Sequence, residues 1–186
     1  MGTPGERAAR AHPLARAAGA DDPFAVLGLP RRWSLDLTAL ERRWKELSRQ
    51  VHPDRHARGT PSERRLAVER AVAVNEAYRT LRDPVRRAEV LVRLLGVDPA
   101  GAQDPDLLEE AIEFGESIAA SVSDAEARAR LATLLERRRD EATRMLGEAL
   151  DAGDGPAAGR ALGRLRTYMR LLEDFAAHRH ASGARS

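Results

Sequence analysis

The dipeptide Asp-Pro recurs along this chain, and at Asp22–Pro23, Asp83–Pro84 and Asp104–Pro105 it stands directly before an apolar, helix-forming run. Asp followed by Pro is the grammar of a helix start. The carboxylate caps N–H groups of the first turn, and proline, with no N–H to lose, already holds a helical φ. Each pair commits the residues behind it to a helix. Strand formers are sparse, aromatic residues make up only 4% of the chain, and no stretch alternates with period two. The expected fold class is all-α.

The elements follow from these starts and from periodicity. A short helix is predicted from Pro23 to Leu27, ending at Gly28, then a loop through Trp33. A second helix is predicted from near Asp36 or Thr38, where Thr38 and Glu41 have capping-box spacing. Leu37, Leu40, Trp44, Leu47 and Val51 form one stripe along it, while Arg42, Arg43, Lys45 and Arg49 occupy the opposite face. Pro53 stops this helix, because the residue before a proline is steered out of the α region. A third helix is expected from Ser62 to Arg82, with Ala67, Ala71, Val74, Tyr78 and Leu81 as its core stripe, widened by Val68 and Val72. The fourth runs to Leu95 and ends at Gly96, and the fifth runs from Pro105 to about Ala120. Ser123 and Glu126 are spaced to cap a sixth, ending near Leu150, and a seventh is expected from Pro156 to His178. No internal repeat is visible. The expected organisation is a tail over 1–20, an N-terminal domain over 21–96, a linker over 97–104, a three-helix bundle over 105–178 and a tail over 179–186.

Charge divides the chain further. Residues 1–96 carry a net +7, residues 97–123 carry seven acidic and no basic side chains, and the remainder carries +2. Two oppositely charged surfaces in one chain suggest two different partners. Net charge is small and no basic patch is interleaved with exposed aromatics, so nucleic acid is not an expected partner despite a pI of 9.6. There is no cysteine, which removes disulfides and thiolate metal sites and suits a reducing, cytoplasmic setting. No apolar run approaches the ~18 residues of a membrane span, and the Arg- and Ala-rich first twenty residues lack the apolar core of a secretion signal. They faintly resemble an organelle transit peptide, but the expectation is a disordered tail in an Arg-rich sequence.

The loop after the second helix reads QVHPDRHARG, with His52, Pro53 and Asp54 consecutive. The tripeptide fits three roles. As a plain turn, proline fixes φ and aspartate bonds nearby backbone N–H groups, which explains Pro53 and Asp54 but not His52. By chance it arises in roughly one chain in a hundred of this length. As a metal site, His52, Asp54 and His56 share one exposed loop and lack the rigid shell that zinc or iron needs. As a recognition loop, a fixed His and Asp beside a basic helix face suit a charged partner.

The order of a short helix, a basic amphipathic helix, His-Pro-Asp and a long helix ending NEAYRTLRDP resembles a J domain. Asn75, Tyr78, Leu81, Asp83 and Pro84 match that family's N-x-A-Y-x-x-L-x-D-P signature. J domains are the modules by which DnaJ-type co-chaperones engage DnaK-type chaperone ATPases. A general J protein would add a Gly/Phe-rich stretch and often Cys-rich repeats, and this chain has neither. Instead LGLP at 27–30, LRDPVRRAEVLVRLLGVD at 81–98 and a helical C-terminal half are similar to the HscB family. The similarity is tight over 22–98 and looser out to 178, and the N-terminal cysteine module of some eukaryotic members is absent. The resemblance implies a non-enzymatic adaptor without cofactor or metal. It would join an HscA/DnaK-type chaperone ATPase to an IscU-type iron–sulfur scaffold protein. His52, Pro53, Asp54, Arg42, Arg43, Lys45, Arg49 and Arg55 would face the chaperone, with Asp54 pairing with a chaperone arginine.

The scaffold face is expected on the fifth helix. Leu107, Ala111, Phe114 and Ile118 are spaced to face a core, and Leu108 and Ile112 lie on a neighbouring face beside Glu109, Glu113 and Glu116. Periodicity alone favours one wide core stripe with a solvated acidic flank. The family resemblance instead assigns Leu108, Ile112, Glu113 and Glu116 to scaffold binding, joined by Tyr168 on the last helix. Glu109 stands where an apolar residue is common, and Thr167 stands in for an aromatic. Trp44 is expected in the core by its spacing, and Trp33 to pack on the small domain. The run ERRRDE at 136–141 reads as a solvated helix face, and His178 and His180 as surface residues.

Overall fold

A computed structural model describes residues 22–52, 60–100, 104–121 and 124–183, apart from the side chains of 105 and 179–183. Among these residues there are seven helices and no strand: α1 Pro23–Leu27, α2 Leu37–Gln50, α3 Pro61–Arg82, α4 Pro84–Leu94, α5 Pro105–Ala120, α6 Ala125–Ala152 and α7 Gly155–Gly183. They form two compact units divided between Leu95 and Gly96.

The caps follow the chemistry read from the sequence, with local shifts. Asp22, Asp83 and Asp104 accept from the backbone N–H of Phe24, Arg86 and Leu107, and a proline follows each. Asp36 caps α2 through Thr38 N, so Thr38 is inside the helix and not its cap. α3 starts at Pro61, one residue earlier than expected, because Thr60 and Glu63 close a reciprocal capping box around it. The cap of α6 is Asp124, whose carboxylate takes two N–H groups, from Glu126 and Ala127; Ser123, the expected cap, lies outside the described residues. α7 continues five residues past His178, to Gly183.

In the first unit, α2 and α3 form a hairpin against α1 and α4. Phe24, Leu27, Leu40, Leu81, Leu91 and Val92 are fully buried between them. α3 contributes a narrower stripe than expected: Ala67, Val74, Ala77 and Leu81 are buried, whereas Val68 and Val72 are 49% and 62% exposed. At about 100° per residue those two valines turn past the flank that α2 covers. On α2, Leu37 is also exposed, as it occupies the first helical position.

In the second unit, α6 and α7 are joined by a tight turn. Gly153 takes φ 71 there, where a side chain would be strained. Leu135, Leu146 and Leu150 of α6 meet Leu162, Leu165 and Tyr168 of α7, with Ala142, Ala149, Ala158 and Ala161 filling the narrow parts of the seam. α5 adds Leu107, Phe114 and Ile118 to this core.

Candidate functional site

The hairpin that carries the His52 loop is closed by the signature residues themselves. Trp44 stacks on Tyr78, with ring centroids 4.5 Å apart and planes 18° from parallel. Its indole Nε1 donates to Asn75 Oδ1 at 2.8 Å. Trp44 is therefore half-buried at the rim of the hairpin and not in its centre, because the indole N–H has a polar partner to meet. Leu81 fills the core and Asp83 turns the chain into α4. The signature N-x-A-Y-x-x-L-x-D-P thus reads physically as a clasp on α2, a core plug and a helix start.

A second clasp holds the loop between α1 and α2. The buried Arg87 guanidinium sits 4.7 Å from the Trp33 ring centroid and donates from Nη1 to Leu81 O at 2.7 Å. Burial pulls its pKa below the usual arginine value. Trp33 thus packs within the first unit, as expected. Arg31 pairs with Asp22 at 2.7 Å beside it.

The basic face of α2 is less uniform than the sequence suggests. Arg42, Lys45 and Arg49 are exposed. Arg43 is half-buried instead: its Nε donates to Leu27 O at 2.9 Å, capping the end of α1, and Nη1 reaches Glu46. It is a strut between helices, which corrects its assignment to the open basic face. Gly28, at φ 63, packs on this strut, since a Cβ there would lie 3.3 Å from Arg43 Nη2. Lys45 pairs with Glu41 at 2.7 Å, and that hydrogen bond holds the Glu41 carboxyl below its ordinary pKa. His52 is exposed just past the end of α2. Pro53, Asp54 and Arg55, together with His56, lie outside the described residues. Among the described residues no cluster of three or more His, Asp or Glu is placed to hold a metal, and no helix is long and apolar enough to cross a membrane.

On α5 the structure separates two apolar files that the sequence left merged. Leu107, Phe114 and Ile118 are buried and Ala111 is half-buried, while Leu108 and Ile112 are 66% and 57% exposed. Glu109, Glu113 and Glu116 are exposed around that pair. The stripe is narrow, which corrects the wide one that periodicity favours. Tyr168 is a second correction. It is 2% exposed, meets Phe114 edge-on at 6.3 Å and donates its hydroxyl to Glu110 Oε2 at 2.7 Å. Burial, then the Glu110 carboxylate, pushes its pKa up to about 12. A side chain so placed does not reach a partner, so Tyr168 leaves the surface set.

Sequence reading missed the polar partners of α5. Asp104 Oδ2 accepts from Arg164 Nε at 2.9 Å, and Arg164 Nη2 lies 2.7 Å from the same oxygen as an ion pair. That bond holds the Asp104 carboxyl below the usual range and raises Arg164. Glu110 Oε1 lies 3.0 Å from Arg138 Nε, an ion pair without an aligned hydrogen bond. Arg166 donates to Pro99 O at 2.8 Å. The available signal was the i, i+4 spacing of Arg164 and Tyr168, which puts both on one face of α7.

Known proteins bear on both halves of the chain. Residues 22–90 match the DnaJ domain model and residues 103–175 the model of the HSCB C-terminal oligomerisation domain. The co-chaperone protein HscB homolog of Bordetella petrii is 38% identical over 167 residues, covering 87% of this chain and 98% of that protein. The homolog of Cupriavidus taiwanensis is 39% identical over 160 residues, covering 83% and 91%. Chaperone HscB from Vibrio cholerae superposes with a TM-score of 0.74 at 28% identity, over 84% of this chain and 96% of that one. The crystal structure of human co-chaperone protein HscB shares the fold, with a TM-score of 0.75 at 24% identity over 87% and 83%.

Proposed function

This chain belongs to the HscB co-chaperone family, and from that premise we propose that it delivers an IscU-type iron–sulfur scaffold to an HscA/DnaK-type chaperone and triggers the chaperone's ATP hydrolysis. The observation that carries the scaffold half is the exposure of Leu108 and Ile112 amid Glu109, Glu113 and Glu116. Two large apolar side chains held in water beside unpaired-sign charge suit a partner that is apolar at its centre and basic at its rim. Glu113 and Glu116 would steer and orient that partner. Glu109 and the half-buried Thr167 give the face a more polar outline than the family pattern.

The chaperone half rests on the DnaJ domain and on the geometry of α2. Arg42, Lys45 and Arg49 present positive charge on the helix that precedes His52-Pro53-Asp54 in sequence, and the Trp44–Tyr78–Asn75 clasp ties that helix to α3. The reaction belongs to the chaperone. The co-chaperone needs only to bind the hydrolysis-competent conformation better than the resting one, which shifts the population toward it. Asp54 would pair with a chaperone arginine, with His52, Pro53 and Arg55 shaping the contact. A cytoplasmic setting accompanies this reading. Its test is the ATPase rate of an HscA-type chaperone with the scaffold, this protein, or both. Synergy that Leu108→Ala with Ile112→Ala removes, while scaffold-independent stimulation persists, is the expected outcome. Equal stimulation with and without scaffold would point to a different client.

A further inference from the structure

α5 is ambiguous about which way it should face. Successive residues on a helix are about 100° apart, so a turn of that size exchanges the file Leu107, Ala111, Phe114, Ile118 for the file Leu108, Ile112, Gly115, Ala119. In the second half of α5 burial decides the matter, since Phe114 and Ile118 are larger than Gly115 and Ala119. In the first half it does not. Leu107 and Leu108 are equivalent, and burying Ala111 while Ile112 stands in water is the poorer hydrophobic choice. Because α5 is one helix, Phe114 and Ile118 already favour the observed setting along its whole length, but the first half adds nothing to that preference and burial holds it only from the far end.

The polar ties lie in that first half. Asp104 caps α5 through Leu107 N, and its other oxygen accepts from Arg164 Nε, with Nη2 at ion-pair distance. Two turns on, Glu110 accepts the buried Tyr168 hydroxyl at 2.7 Å and faces Arg138 at 3.0 Å. Glu110 is on the flank of α5 away from Leu108 and Ile112. Two anchor points separated along a helix fix its rotation as well as its position. We infer that Asp104–Arg164 and Glu110–Tyr168 form a rotational lock on α5, and that Arg164 and Tyr168 are positioning residues which keep Leu108 and Ile112 turned outward. The functional consequence rests on the scaffold reading above; the lock itself does not.

The chain has no cysteine, so one introduced thiol reports the setting of α5 without any partner. Ile112→Cys and Ala111→Cys are compared by alkylation rate in the otherwise unaltered chain and with Asp104→Asn plus Tyr168→Phe. The latter pair keeps an N-cap and the aromatic ring while removing both ties. The ratio of Ile112→Cys to Ala111→Cys labelling should fall about threefold or more, since a buried thiol reacts only through local opening. An unchanged ratio overturns the lock, and so does a rise at both positions together, which is loosening without rotation. If the double change prevents folding, Tyr168→Phe alone must move the ratio the same way. Glu110→Gln still accepts from Tyr168 and should leave the ratio as in the parent; a shift there would overturn the role given to the hydroxyl. Affinity for a purified IscU-type scaffold is measured on the same proteins. Full affinity of Leu108→Ala with Ile112→Ala sinks the scaffold face, whereas only the labelling ratio sinks the lock.

Discussion

Two helices of this protein turn a candidate partner face to solvent, and they are held in place by different means. α2 has one apolar stripe, and its neighbours are close in sequence or announced by a signature: Trp44 meets Asn75 and Tyr78, and Arg43 meets Leu27. α5 has two adjacent apolar files, and its polar partners Arg164 and Tyr168 are some sixty residues away. A helix with a single stripe has its orientation set first by burial, and contacts such as those of Trp44 and Arg43 add to it. In a helix with two, burial discriminates less where the files are alike, as at Leu107 and Leu108, and part-buried polar contacts add to the choice there.

The largest expected effect separates face from frame on the α2 side. Asp54→Asn should abolish stimulation of the chaperone ATPase, with a stability change within about 0.5 kcal/mol, as follows if the loop is exposed as its sequence predicts. Stimulation at the parent rate would remove the loop from the comparison. On the α5 side, Phe114→Ala should cost about 3–5 kcal/mol in denaturant unfolding. Leu108→Ala with Ile112→Ala should leave the midpoint nearly unmoved, and a cost comparable to Phe114→Ala would mean that the outward file is core after all.

Charge reversal of Arg42, Lys45 and Arg49 should slow association with the chaperone severalfold at low salt, and added salt should slow the parent similarly, as screening acts over ~10 Å at 0.1 M. Arg43 is omitted, because its strut to Leu27 makes it a stability residue. Trp44→Phe keeps the stack on Tyr78 and loses the bond to Asn75, so a cost of about 1 kcal/mol is expected by thermal melting. The smallest effect concerns pH. Arg164 depresses the Asp104 pKa in the folded state. Its contribution is therefore present above the unfolded carboxyl value and lost as pH falls through the lower folded value. Asp104→Asn should flatten the acid limb of the stability curve in that range, and an acid limb identical to the parent's would detach the Arg164 tie from stability.

Much of the fold was legible because its signals are local. Asp-Pro starts and Gly28 and Gly96 stops fix α1, α4 and the start of α5 within a turn of chain. The J-domain half was legible because it carries a spaced signature. What the sequence could not show depends on who covers which flank. Val68 and Val72 have core-like periodicity and yet are exposed. Tyr168 has the look of a surface aromatic until Glu110, 58 residues earlier, is brought to its hydroxyl. Leu108 and Leu107 are chemically alike, and only the tertiary setting of α5 tells them apart.

The two tryptophans of the chain, Trp33 over Arg87 and Trp44 on Tyr78, both lie in the first unit, while most of the helical residues lie in the second. The molecule therefore carries its own optical separation. Indole emission excited at the red edge follows the N-terminal unit alone, and far-ultraviolet ellipticity is weighted toward the C-terminal bundle. Each indole is also pressed against a distinct neighbour, a cation in one case and a phenol in the other, so loss of either clasp should change emission. Melting followed by both signals at once measures how strongly the two halves are coupled: coincident curves for one cooperative body, and displaced curves for two that fold independently.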